Sequence, residues 1–128
     1  MGKQIIESKK VPAPIGPYSQ AVIANGFLFA SGQVAFNPEN GELVTSDIVS
    51  ETKQVMENVK SILEAANLSF ANVVKTTIFL SDMGLFAQVN EVYGSYFTSD
   101  FPARETVAVK TLPRNVNIEV SVTAVISL

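Results

Sequence analysis

The chain has 128 residues with a formal net charge of −3 and contains neither histidine nor cysteine. That length fits one domain, residues 1–128, able to close a core without metals or disulfides, and the acidic balance offers no basic stripe to a phosphate backbone, so no specific nucleic-acid partner is expected. The missing residue types exclude a Ser-His-Asp triad, a thiolate nucleophile and a zinc site of the usual N/S kind, which leaves carboxylates, Arg, Lys, Tyr, hydroxyls and backbone groups for any catalysis.

Charged residues are only 16% of the chain against 47% hydrophobic, and an ordinary soluble domain carries roughly 25% charged residues. There is little charge to coat a free surface, which points to oligomerisation. No apolar run approaches the roughly 20 residues that span a bilayer, and the start "MGKQIIESKK" has no apolar leader core, so a soluble protein is expected. A myristoylation signal is rejected because Ile6 stands where Ser or Thr is required. A cysteine-free chain suits any redox compartment; the cytoplasm is the default location.

In chain order, Lys3–Ser8 reads as a short strand, and "VPAPIGP" (Val11–Pro17) as an extended loop, too rich in Pro and Gly for regular structure. "YSQAVIANGFLFASGQVAF" holds two β-rich runs joined by Asn25-Gly26, the dipeptide suited to the two positive φ angles of a type I′ hairpin turn. After a turn at Pro38–Gly41, apolar positions such as Val55, Val59, Ile62 and Leu63 recur at helical spacing, with Ser46 or Asp47 as N-cap and Asn67 near the end. "NVVKTTIFLSD" is β-branched and short, a buried strand, and "LFAQVNEVYGSYF" returns to helical spacing. Two strands close the chain, Glu105–Lys110 and Asn117–Ser127, giving the order β-β-β-α-β-α-β-β and an α+β fold with two helices on one sheet face.

Alternate strand residues point to opposite faces. In the last strand Ile118, Val120, Val122 and Ala124 share the expected core face, and Glu119, Ser121 and Thr123 the other. With Val107 and Val109 assigned to the core, Arg104 and Thr106 fall with Glu119 on the face without helices. Neither face of the hairpin is plainly polar, so the sheet needs a second cover, and with no helices left that cover is expected to be another subunit.

"IGPYSQAV", "SGQ", "NVVKTTIFLSD", "FAQVNEVY", "FPAR" and "IEV", in this order over nearly the whole chain, resemble the RidA/YjgF family of enamine/imine deaminases. The resemblance implies a chorismate-mutase-like fold, a homotrimer with sheets facing inward, and an active site in each cleft between subunits. It implies cofactor-free hydrolysis of reactive 2-imino acids (2-iminobutanoate, 2-iminopropanoate) to 2-keto acids and ammonia. Under it Arg104 binds the substrate carboxylate, Glu119 orients or activates water, and backbone at Thr106 and Gly32 holds the imine end, with Tyr18, Ser31 and Asn90 lining the pocket. A guanidinium offers parallel donors that fix an anion's orientation, and in a chain without histidine a carboxylate is the natural proton shuttle. Two positions depart from the pattern: Thr106 stands where many close members have cysteine, and Glu105 is bulkier than the residues common beside that arginine. The competing reading is a non-catalytic trimer that binds or senses small 2-keto acids.

Overall fold

A computed structural model describes residues 2–127. The elements follow the expected order: β1 (Gln4–Ile6), β2 (Ala21–Ala24), β3 (Phe27–Ala30), α1 (Ile48–Ala65), β4 (Val73–Leu80), α2 (Phe86–Gly94), β5 (Ala103–Ala108) and β6 (Ile118–Val125). The strands form one six-stranded sheet in the order β1-β2-β3-β6-β4-β5. Every pairing is antiparallel except β4 with β5, because α2 carries the chain back across the sheet between them, the crossover that parallel neighbours require.

Local chemistry sets the boundaries. Asn25 (φ 53°) and Gly26 (φ 84°) supply the left-handed pair of the β2–β3 turn. Asp47, not Ser46, caps α1: its side chain accepts from the Ser50 N–H at 2.8 Å. Asn67, in the left-handed region at φ 60°, takes the chain out of the helix. The strand expected over Lys3–Ser8 shortens to Gln4–Ile6, and β5 begins at Ala103, two residues before the expected start.

The core lies between the sheet and the two helices. Ile118, Val120, Val122 and Ala124 of β6 are buried against α1 residues Val55, Val59, Ile62 and Leu63 and α2 residue Val89. The other sheet face has no cover among the described residues: Phe29 is 46% exposed and Val107 43%. Among the described residues no helix is long and apolar enough to cross a membrane.

Register corrects one expectation. Arg104 pairs with Thr76 of β4, which pairs with Val122; Thr106 pairs with Ile78, which pairs with Val120. Arg104 and Thr106 therefore stand on the helix-covered side. Glu119 pairs with Phe79, next to Val107, on the open side. Val107 of β5 faces outward because the open face is itself apolar, so an apolar residue on this edge strand is no marker of the core.

Candidate active site

The Arg104 side chain meets one face of α2, where Phe86, Asn90 and Tyr93 follow at i, i+4 and i+7 and so line up along the helix. Its Nη1 donates to Asn90 Oδ1 at 2.7 Å. The guanidinium carbon lies 5.0 Å from the Tyr93 ring centroid and 5.4 Å from that of Phe86, within reach of cation–π attraction to both rings. Tyr93 is fixed in turn, since its hydroxyl shares a buried 2.8 Å hydrogen bond with that of Thr76, the β4 neighbour of Arg104. Burial raises the Tyr93 pKa, opposed by the Thr76 hydrogen bond and the Arg104 charge.

A cavity of about 440 Å³ opens here, lined by Asn90, Tyr93, Gly94, Phe101, Pro102 and Arg104. A guanidinium has five N–H donors, and among the described residues Asn90 is its one hydrogen-bond partner. The remaining donors suit a carboxylate. Two residues along β5, the Thr106 hydroxyl is shielded from solvent and has no hydrogen-bond partner among the described residues.

Glu119 belongs to a second constellation, on the open face. It is half-buried, and that loss of solvent pushes its pKa up. Gly32 lies against it: a Cβ at position 32 would come within 2.7 Å of Glu119 Cδ and 2.8 Å of Cγ. With the Glu119 carboxyl in this position a side chain at 32 has no room, so the glycine here concerns space and not backbone freedom. Ser31 is committed to the scaffold, its N–H donating to Gln20 O and its hydroxyl to Ser19 O at 2.7 Å. Tyr18, 58% exposed, lines with Ser31 and Phe29 a wide concavity of about 580 Å³.

The expected site residues thus fall into two groups. Arg104, Thr106 and Asn90 gather on the helix side, whereas Glu119, Gly32, Ser31 and Tyr18 gather around the open face. Asn90 holds the arginine in addition to lining the pocket. Glu105 points away from Arg104, where Lys75 Nζ lies 3.0 Å from its carboxylate and Thr77 donates to it; it has no place in the Arg104 pocket. Phe86 and Tyr93 were hidden from sequence reading because rings at helical spacing read as core, and only their alignment with Asn90 marks a common face.

One mixed sheet backed by two helices, with a guanidinium held at the mouth of a pocket, defines a chorismate-mutase-like α+β protein. The chain belongs to the family described as Endoribonuclease L-PSP, whose model matches residues 8–126, the same YjgF/RidA family that the sequence blocks resemble. It is 49% identical over 122 residues to a RutC family protein of Pyrococcus horikoshii, covering 95% of this chain and 97% of that one. It is 43% identical over 123 residues to the human 2-iminobutanoate/2-iminopropanoate deaminase, covering 96% and 90%. The structure of E. coli TdcF with bound serine superposes with a TM-score of 0.91 at 38% identity, covering 95% of this chain and 98% of that one.

Proposed function

We propose that this protein hydrolyses short 2-imino acids to 2-keto acids and ammonia, without a cofactor, in clefts between the subunits of a homotrimer. The observation that carries the reading is the Arg104 guanidinium, braced by Asn90 and two aromatic rings at a pocket and left with donors for a carboxylate. A human relative named for this activity and an E. coli relative with bound serine support a ligand that pairs a carboxylate with an α-nitrogen.

In the proposed reaction the substrate carboxylate takes the free guanidinium donors, which sets the pose of the adjacent C=N. Water adds its oxygen to the imine carbon of the iminium form while Glu119 accepts a water proton. The tetrahedral adduct then receives that proton on nitrogen. The C–N bond breaks with the electron pair leaving on ammonia, and loss of the hydroxyl proton leaves the keto acid. A half-buried carboxyl whose pKa is raised by loss of solvent is a stronger base than a free carboxylate, which suits it to take a proton from water and return it to nitrogen. Backbone at Thr106 and Gly32 would hold the imine end, with Tyr18 and Ser31 on the wall of the cleft.

Arg104 and Glu119 lie on opposite sides of one sheet, so a site that uses both needs the open face of a neighbouring copy. The exposed Phe29 and Val107 favour such packing. A sedimentation mass of one chain would contradict it.

The test generates 2-iminopropanoate and 2-iminobutanoate in place with an amino-acid oxidase and follows keto-acid release. Wild type accelerates release, and Arg104→Ala loses about a hundredfold in kcat/KM or more, the scale of a lost charge-assisted carboxylate contact. Absence of acceleration by wild type rejects the deaminase reading for these substrates and leaves a binder of 2-keto acids.

A further inference from the structure

Glu51 is a carboxyl group in the first turn of α1 with no exposed surface. Buried acidic side chains are rare unless something pairs with them. Among the described residues no Lys or Arg makes an ion pair with Glu51, and the hydrogen-bond partner of its carboxylate is Asn117 alone. Asn117 N–H donates to Glu51 Oε2 and Asn117 Nδ2 to Oε1, both at 2.8 Å, a two-pronged grip on one residue.

The acceptors of Asn117 are used as well. Its carbonyl takes the Ser81 N–H at 3.0 Å, and its Oδ1 takes the Ser81 hydroxyl at 3.1 Å. All four polar groups of Asn117 are therefore engaged, tying α1 and the end of β4 to the start of β6. The chain reaches this node through two successive non-glycine residues in the left-handed region, Arg114 (φ 60°) and Asn115 (φ 58°). That conformation is sparsely populated and persists only where the surroundings impose it. Two residues beyond Asn117 stands Glu119.

We infer that Glu51 is a positioning residue, which through Asn117 fixes the entry of β6 and so the place of the Glu119 carboxyl beside Gly32. This rests on the reading of Glu119 as the proton shuttle. A buried carboxyl is a costly device for stability alone, because a well-packed apolar residue serves a core as well or better. What it supplies here is two acceptors in a fixed fork, and a misplacement of the shuttle on the scale of an ångström is enough to slow catalysis.

The experiment compares wild type, Glu51→Gln and the double variant Glu51→Gln/Asn117→Asp. In the single variant an amide donor faces Asn117 Nδ2, so one prong of the grip is lost. The double variant reverses the direction of that one hydrogen bond, retains the N–H prong and the Ser81 contacts, and conserves net charge. For Glu51→Gln, kcat with 2-imino acids falls about tenfold with KM within about twofold, and the Glu119 side-chain titration, followed by carboxyl 13C NMR, moves toward that of an ordinary carboxyl. The double variant recovers both. Unchanged kcat and Glu119 titration in folded Glu51→Gln, or no recovery in the double variant, overturns the inference. Should wild type lack deaminase activity, the reading of Glu119 fails separately, and the Glu119 titrations of the three proteins still decide whether Glu51 positions it. If Glu51→Gln does not fold, Ser81→Ala, at the exposed end of the same node, takes its place: a smaller shift of the titration in the same direction supports the inference, and none overturns it.

Discussion

The two groups of candidate residues are built differently. On the helix side, one chain completes the arrangement: Thr76 holds Tyr93, Tyr93 and Phe86 flank the guanidinium, and Asn90 accepts from it. On the open side, Glu119 sits half-buried against a glycine, beside apolar side chains that this chain leaves uncovered. The helix side is preorganised for binding, whereas the open side is shaped for contact with something else. The difference teaches where assembly acts: under the proposed reaction it would bring the Glu119 carboxyl to an Arg104 pocket already complete without it.

Glu119→Gln breaks the comparison hardest. It is expected to lower kcat by about 10²–10⁴, the range for removing a positioned acid–base group, while 2-keto acid affinity at Arg104 stays within about twofold, as isothermal titration would read. The same variant has a pH signature. A carboxyl whose folded pKa is raised favours folding below its unfolded pKa and loses that contribution as pH rises through the folded value. Relative to wild type, Glu119→Gln should therefore gain thermal stability at pH 7 and show no such gain at pH 4.

Gly32→Ala sharpens the spatial claim. The new methyl group would overlap the Glu119 carboxyl, and displacing that group should cost about 10–100-fold in kcat, with little change in melting temperature because the side chain has solvent to move into. A smaller effect is expected on the helix side. Phe86→Leu removes one of the two rings beside the guanidinium, worth about 0.5–1 kcal/mol at an exposed site, so KM should rise about two- to fivefold with kcat retained. Glu105→Gln should leave ligand affinity at Arg104 unchanged, since that carboxylate faces Lys75 and Thr77 on the opposite side of the sheet from Arg104. Its lowered pKa, due first to the Thr77 hydrogen bond and then to Lys75, makes its contribution to folding one that is present above the unfolded pKa and lost as pH falls through the folded value.

Local chemistry was legible in the sequence. Asn25-Gly26 announced the hairpin, the apolar spacing of α1 its buried stripe, and the parity of β6 its core face. Arg104 and Glu119 were legible as candidates from their sequence blocks, but not their placement on opposite sides. Parity groups residues by side without saying which side the helices cover, and on β5 the apolar Val107 pointed the wrong way because both faces of this sheet carry apolar residues. Phe86 and Tyr93 stayed hidden because a ring that packs and a ring that braces a cation have the same helical spacing. Glu51 carried no signal at all: an acidic residue in a first helical turn is ordinary, and only its complete burial against Asn117 distinguishes it.

The most direct test of the two-sided site mixes the defects. Arg104→Ala and Glu119→Gln proteins, each impaired alone, are unfolded together, refolded as a one-to-one mixture and assayed with 2-iminobutanoate. If the arginine comes from one copy and the glutamate from the next, random assembly returns about a quarter of the wild-type activity. Mixed oligomers that form and yet hydrolyse no faster than either parent would contradict a site shared between copies.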